Sequence, residues 1–174
     1  MKTLILMLLF QCVCNWNPPF IPRWEGSDPI RYCVDPTAEP YRVEILMALK
    51  VWEKEFIYNS FVEVFDPTWH RTIVFRVTPF GPGNSFFALA MYPPPLIVEP
   101  YAGDVTLNSD YNWNDPYMRF LLVPTWIHEI GHSLGVGDSR SSSNVMFPNI
   151  NPKLVELSVE DKRLFRCLYN GECR

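Results

Sequence analysis

Residues 128–138 read HEIGHSLGVGD, and this stretch decides the interpretation of the whole chain. His128 and His132 are four positions apart, so on a helix they lie above one another on one face and can reach a single metal ion. Glu129 follows the first histidine and can reach a water molecule at that ion as a general base. Taken alone, the same pair of histidines could also be an ordinary exposed helix face.

The residues that follow His132 favour the metal site. Gly135 lies three positions beyond His132 and three before Asp138. A glycine can adopt the left-handed conformation that ends a helix, so the chain can turn back and present Asp138 to the same ion. Carboxylate oxygen is a common zinc ligand beside two histidines. The alternative is that Asp138 is a surface turn residue and that the ion has only two protein ligands.

The pattern HExxHxxGxxD resembles the extended zinc motif of the metzincin proteases, HExxHxxGxxH, with Asp138 in place of the third histidine. An aspartate at this position resembles snapalysin, a small bacterial metzincin. Residues 145–148, VMFP, resemble the Met-turn that lies under the metal in that clan. The resemblance makes Met146 a floor residue rather than a ligand, whereas a methionine without this spacing would be interpreted as core filler.

Within the metzincins, the chain resembles the matrix metalloproteinases over nearly all of its length beyond residue 30. The similar segments occur in the same order, at residues 30–32, 48–52, 61–64, 103–113, 128–139, 146–148 and 157–171. The resemblance implies an α+β metzincin catalytic domain with a twisted, mixed five-stranded sheet and three helices. It also implies an active-site helix that a glycine turn ends, with the Met-turn below the zinc.

Two departures concern the structural ions of that family. Ala90 and Thr106 stand where histidines would hold a second zinc, so one catalytic Zn²⁺ is expected and a structural one is not. Asn108 and Tyr111 stand where calcium-binding acids are expected. Asp104 remains, which leaves a Ca²⁺ site open.

The resemblance also assigns the substrate contacts. The segment Ala88-Leu89-Ala90 would bind a protein or peptide as an added β-strand through its unpaired backbone edge. The segment Pro148-Asn149-Ile150 would form the wall of the pocket beside the cut, which favours a hydrophobic side chain after the scissile bond.

The N-terminus is typical of a secreted protein. Residues 1–14, MKTLILMLLFQCVC, combine an early lysine with an apolar run too short to span a bilayer, which predicts a signal peptide. The alternative is a buried N-terminal strand or helix. We expect an arm at 15–29 and a catalytic domain at 30–174, secreted, monomeric and without a membrane partner once the leader is removed. We expect no inhibitory pro-segment between the leader and the first strand.

Composition and cysteine usage agree with this compartment. Apolar residues make up 48% and charged residues 20% of the 174, which indicates one packed domain, and a formal charge of -4 argues against nucleic-acid binding. Three of the five cysteines follow the leader, namely Cys33, Cys167 and Cys173. An odd number in an oxidising compartment predicts one bridge and one free thiol, or an intermolecular link. We prefer a bridge from Cys33 to Cys167 or Cys173.

The predicted order is a strand, a helix, a run of strands, the motif helix and a last helix. The strands are expected at 30–34, 61–65, 72–77, 86–92 and 104–107. The helix at 40–56 should pack its apolar positions, Val43, Leu46, Met47, Trp52 and Phe56 among them, on the sheet. Ser158 caps the last helix and Asn170-Gly171 ends it. The 17 prolines favour turns over long helices.

These patterns predict a zinc metalloendopeptidase that hydrolyses internal peptide bonds with Glu129 as general base. One alternative is a catalytically inactive metzincin-fold module that binds protein. Another is a secreted binding or structural domain in which the motif is accidental. Zinc content together with proteolysis by the wild type and Glu129→Ala separates the three.

Overall fold

The computed structural model describes residues 23–26, 28–57, 60–67, 72–94, 96 and 101–171. In these ranges the elements follow the predicted order. They are β1 (Ile30–Val34), a 3₁₀ turn (Glu39–Tyr41), α1 (Arg42–Glu53), β2 (Phe61–Glu63), β3 (Thr72–Thr78), β4 (Ala88–Ala90), β5 (Val105–Asn108), α2 (Pro116–Ser133) and α3 (Val159–Asn170). The predicted leader at 1–14 lies outside the described residues, and the domain boundaries stay a prediction.

The strands form one mixed sheet in the order β2-β1-β3-β5-β4. Neighbouring strands run parallel except β4, which pairs antiparallel with β5 at the edge of the sheet. β3 carries the buried run Thr72–Phe75, as expected for a parallel strand covered on both faces. Five strands with three α-helices in the described part of the chain confirm the predicted α+β class.

The buried face of α1 differs from the predicted one. Val43 and Met47 are 67% and 51% exposed, so their placement on the sheet was wrong. Trp52 is buried as predicted, and Ile45 and Ala48 take the place of Val43 and Met47 in the core face. These residues also follow a helical repeat, so the sequence contains two candidate stripes, and packing selects the second one.

Two strands are shorter than predicted. β2 ends at Glu63, and Phe65 beyond it is 91% exposed. β4 covers only Ala88–Ala90 of the predicted 86–92.

α2 is the long helix that the proline content argued against. Asp115 caps its start by accepting hydrogen bonds from the backbone N–H groups of Tyr117 and Met118. Pro124 lies inside the helix and removes one internal hydrogen bond. Residues 124–131 are nevertheless all buried, and this burial holds the helix in place.

α3 has the predicted ends. Ser158 and Asp161 form a capping box at its start, and Gly171 adopts the left-handed conformation at its end with φ of 72°. Among the described residues, no helix combines the length and the hydropathy that a membrane crossing requires.

Candidate metal centre

The three predicted ligands lie together at the C-terminal end of α2. Their ligand atoms, one each from His128, His132 and Asp138, all lie within 4.8 Å of one another. The two Nε2 atoms are 3.0 Å apart, and Asp138 Oδ1 lies 3.7 Å from Nε2 of His128 and 3.4 Å from Nε2 of His132. Atoms bonded at ~2.0–2.2 Å to a tetrahedral zinc ion would be separated by ~3.3–3.6 Å. The three separations extend on both sides of this range, so the three side chains are close enough to hold one metal ion together.

The hydrogen bonds of the two imidazoles fix their tautomers. Nδ1 of His128 lies 2.8 Å from the Val145 carbonyl oxygen, and Nδ1 of His132 lies 2.9 Å from the Val136 carbonyl oxygen. Because a carbonyl can only accept, both Nδ1 atoms carry the proton. In the neutral rings both Nε2 atoms are then acceptors facing each other, an arrangement that a cation between them would stabilise.

The turn after α2 delivers Asp138 to the histidines. Gly135 has a φ of 91°, which side chains with a Cβ rarely adopt. Its N–H donates to the His132 carbonyl at 2.9 Å, and the Val136 N–H donates to the Gly131 carbonyl at 2.9 Å. These two bonds form a Schellman motif. The chain consequently reverses, as the glycine spacing predicted.

Met146 packs beneath the helix at the position between the two histidines. A Cβ on Gly131 would collide with Met146 Sδ and would lie 2.8 Å from Trp52 Cζ2. Only glycine lets the helix approach Met146 and Trp52 this closely. Met146 thus occupies the place predicted for the floor residue, and its role as a Met-turn residue stays a prediction.

Glu129 is buried and lies against the edge strand β4. It is 7% exposed, and its carboxylate accepts a hydrogen bond from the Ala90 backbone N–H. Burial, opposed by His132 and assisted by Asp138, raises the pKa of Glu129 to about 7. A carboxyl group with a pKa near neutrality is matched to taking up and releasing protons at physiological pH.

The pKa values of the three side chains are shifted in different directions because their surroundings differ. Burial and the neighbouring His132 lower the pKa of His128 to about 4, so this imidazole is neutral. Burial also acts to lower the pKa of His132, but the hydrogen bond with Asp138 and the charges of Glu129 and Asp138 outweigh it and raise the pKa. The pKa of Asp138 is lowered despite burial, since His132 and His128 face it. The site thus contains a neutral His128, a His132 with a raised pKa and an ionised Asp138.

Asp161 supports the site from α3, a role the sequence did not reveal beyond its capping box. It is fully buried, and its Oδ2 accepts from the Val145 N–H at 3.1 Å and from the Ser158 N–H at 2.9 Å. The Val145 carbonyl in turn accepts from His128 Nδ1. One carboxylate therefore connects the start of α3 to the orientation of His128.

Tyr92 is a second neighbour that sequence reasoning missed. Its hydroxyl oxygen lies 3.4 Å from His132 Nδ1, and its ring is 5.6 Å from the imidazole. Burial, with Asp138 and Glu129 adding to it, raises the pKa of Tyr92 to about 12 and keeps the phenol neutral. Nothing in the spacing of the motif indicates that residue 92 reaches His132.

The two predicted substrate segments are placed differently. Ala88-Leu89-Ala90 forms β4 at the sheet edge, and its Ala90 contacts Glu129. In Pro148-Asn149-Ile150, which follows the Met146 turn, the first two residues are exposed and Ile150 packs partly against the core. Both roles stay predictions.

The residues considered for structural ions make other contacts. Asp104 forms an ion pair with Arg76 and accepts from the Val74 N–H at 3.1 Å. The side-chain amide of Asn108 donates to the Phe86 carbonyl at 3.0 Å. A calcium site consequently has no support in these contacts.

Cys33 has a free thiol, so its preferred bridge to Cys167 or Cys173 was wrong. It lies in β1, between β2 and β3, and is buried. Burial, with Asp35 adding to it, raises the pKa of the Cys33 thiol.

Comparisons with known proteins point to one family. The sequence profile of the matrixin family matches residues 23–170. The chain is 33% identical to karilysin of Tannerella forsythia over 96 residues, which is 51% of this chain and 20% of karilysin. It is 30% identical to stromelysin-1 of Equus caballus over 169 residues, 87% of this chain and 34% of that protein. Identity to matrix metalloproteinase-27 of Tupaia belangeri is 29% over 136 residues, 73% of this chain and 26% of that protein. The chain thus spans between a fifth and a third of these relatives' lengths.

Proposed function

The chain belongs to the matrixin family, and from this premise we propose that it is a secreted zinc endopeptidase that hydrolyses internal peptide bonds of proteins. His128, His132 and Asp138 would hold the zinc, and Glu129 would be the general base. The observation that carries the proposal is the convergence of two Nε2 atoms and one carboxylate oxygen at separations of 3.0, 3.4 and 3.7 Å.

The residues of the site fit the steps of peptide hydrolysis. Zinc, when bound, supplies Lewis acidity to the scissile carbonyl and to the attacking water. Glu129 would accept the proton of that water on a carboxylate oxygen and deliver it to the nitrogen of the departing amine. The hydrogen bond from Ala90 to Glu129 supports this role, because it brings the Glu129 carboxylate beside the edge strand on which a substrate would lie.

Substrate binding would use the free edge of β4. An extended peptide can add a strand there, because an edge strand has backbone groups that no neighbouring strand satisfies. The short β4 lies directly beside the metal centre, since Ala90 contacts Glu129 and Tyr92 approaches His132. Pro148, Asn149 and Ile150 would line the pocket for a hydrophobic side chain after the scissile bond.

The remaining features of the proposal concern the mature chain. Residues 1–14 would be removed as a leader, and the protein would act outside the cell as a monomer. Because Cys33 is free and buried, Cys167 and Cys173 are the two cysteines left to form a bridge, which we propose in place of the Cys33 pairing. Non-reducing peptide mapping of the secreted protein tests both the cleavage site and the bridge.

The decisive experiment compares wild type with Glu129→Ala. We expect about one zinc per chain in both proteins. Cleavage of casein or gelatin should be ~10²–10⁴-fold slower in the variant, which is the range typical of a lost general base. Zinc content is measured by metal analysis and cleavage by peptide release. Zinc binding without cleavage in the wild type would favour the inactive protein-binding module, and no zinc in either protein would refute the metal site.

A further inference from the structure

The last backbone carbonyls of α2 need more hydrogen-bond donors than the backbone of the following turn supplies. The Schellman motif satisfies the carbonyls of Gly131 and His132 through the N–H groups of Val136 and Gly135. The next two carbonyls along the chain must find donors elsewhere, as the last carbonyls of a helix generally do.

Two side chains from distant parts of the chain provide these donors. The indole N–H of Trp24 donates to the Ser133 carbonyl at 2.9 Å, and the hydroxyl of Tyr169 donates to the Leu134 carbonyl at 2.9 Å. Ser133 and Leu134 are both fully buried. An unpaired carbonyl at such a position would be strongly unfavourable, because water cannot reach it.

The two donors are joined to each other and fixed from behind. The backbone N–H of Trp24 donates to the Tyr169 hydroxyl oxygen at 3.2 Å, and the preceding Arg23 N–H donates to the Pro94 carbonyl at 3.1 Å. Trp24 is only 2% exposed, and its ring fills the space that a Cβ on Gly103 would occupy. The Trp24 side chain is therefore held in a single place.

The capped carbonyls belong to the turn that carries the ligands. Ser133 and Leu134 lie between His132 and Asp138 in the chain, and the Val136 carbonyl that follows them accepts the Nδ1 proton of His132. A shift of this turn would move the Val136 carbonyl, which binds His132, and the chain segment that leads to Asp138.

We propose that Trp24 and Tyr169 are positioning residues of the zinc site, which they stabilise by capping the last carbonyls of α2. The inference rests on the proposed zinc binding. It places determinants of metal affinity in the segment before β1 and in the last helix, outside the HExxHxxGxxD stretch. Hydrogen-bond partners behind metal ligands typically change metal affinity by about 10–100-fold when they are lost.

The test removes the indole N–H while keeping an aromatic ring, in the full-length protein. Trp24→Phe is compared with Trp113→Phe, a matched control, because the buried Trp113 also donates its indole N–H to a backbone carbonyl, that of Asn108, at 2.8 Å. We expect both variants to unfold at lower temperature. Zinc affinity, measured by competition with a chelator at a temperature where both are folded, should fall about 10–100-fold in Trp24→Phe and stay within about twofold in Trp113→Phe.

Tyr169→Phe provides an independent test that removes only a hydroxyl. The phenylalanine can keep the ring contact with Phe165, whose centroid lies 4.8 Å from that of Tyr169. We expect weaker zinc binding and an altered visible spectrum of the cobalt-substituted protein. If Trp24→Phe does not fold, this variant decides alone.

The outcomes separate the two proposals. Zinc affinity within about twofold of wild type in every folded variant, with thermal stability lost as in Trp113→Phe, would overturn the positioning role and leave the proposed function intact. Absence of zinc binding by the wild type would instead refute the proposed function.

Discussion

Two polar clusters in this molecule differ in how their hydrogen-bond acceptors are matched by donors. In the ligand cluster, formed by His128, His132 and Asp138, two imidazole nitrogens and a carboxylate oxygen converge, and all three are acceptors when the imidazoles are neutral. In the loop clamp, formed by Asn108, Asp110 and Tyr111, the side chains form complementary hydrogen bonds with the loop before β4 and within the clamp itself.

The contacts of the loop clamp show the difference. Asp110 Oδ2 accepts from the N–H groups of Phe80 and Gly81 at 3.1 and 2.9 Å. Asn108 accepts from the Asp110 N–H at 2.9 Å, and Tyr111 donates to the Ser85 carbonyl at 2.9 Å. A cluster whose acceptors bind protein donors stabilises the fold by itself, whereas a convergence of acceptors is stabilised by a cation. A carboxylate bound by backbone N–H groups, such as that of Asp110, is therefore weaker support for a metal site than one that faces two imidazoles, such as that of Asp138.

The largest expected effect follows from replacing one aspartate in each cluster. Zinc binding of about 10–16 kcal/mol shared among four ligands corresponds to ~2.5–4 kcal/mol per ligand, so Asp138→Ala should weaken zinc binding on the order of 10²–10³-fold. Asp110→Ala should leave zinc affinity within about twofold and lower the free energy of unfolding by about 1 kcal/mol. Chelator competition and urea unfolding measure the two quantities. Equal zinc affinities in the two variants would place the third ligand elsewhere.

A smaller effect concerns the pH dependence of stability in metal-stripped protein. Glu129 has a pKa of about 7 in the fold, against ~4.3 in an unfolded chain. A raised carboxyl pKa stabilises the fold below the unfolded value, and this stabilisation is lost as the pH rises through the folded value. Glu129→Gln carries no such proton. The free energy of unfolding of this variant, relative to that of wild type, should therefore rise by roughly 3 kcal/mol between about pH 4 and pH 8.

Urea unfolding in the presence of EDTA, at several pH values, measures this difference. Asp110→Asn is the control, because it makes the same change from a carboxyl to an amide group at an exposed residue outside the ligand cluster. A difference between Glu129→Gln and wild type that stays constant from acid to alkaline pH would contradict the raised pKa.

The convergence of His128, His132 and Asp138 could be predicted because its geometry is local. Two histidines one helical turn apart and a glycine before Asp138 determine the positions of all three ligands within one helix end, without knowledge of the rest of the fold. The ends of α3 were predictable for the same reason, since Ser158 and Gly171 act on their own neighbours.

The features that the sequence did not predict involve contacts between distant parts of the chain. The capping of Ser133 by Trp24 joins residues 109 positions apart, and no spacing rule encodes it. The exposure of Val43 and Met47 depends on which of two helical stripes α2 and the sheet cover. Likewise, cysteine order does not reveal that Cys33 lies buried inside the sheet.

The smallest expected effect tests the self-sufficiency of the loop clamp. Tyr111→Phe removes the hydroxyl bound to the Ser85 carbonyl and can keep the ring contact with Phe87, whose centroid is 4.8 Å away. Because the Ser85 carbonyl is exposed and water can replace the hydroxyl, we expect a loss of only about 0.5–1 kcal/mol in the free energy of unfolding. Added zinc or calcium should leave this loss unchanged, since the contacts of the clamp are made by protein groups. A loss that calcium restores in urea unfolding would show that the clamp also depends on a cation, and the contrast between the two clusters would then fail.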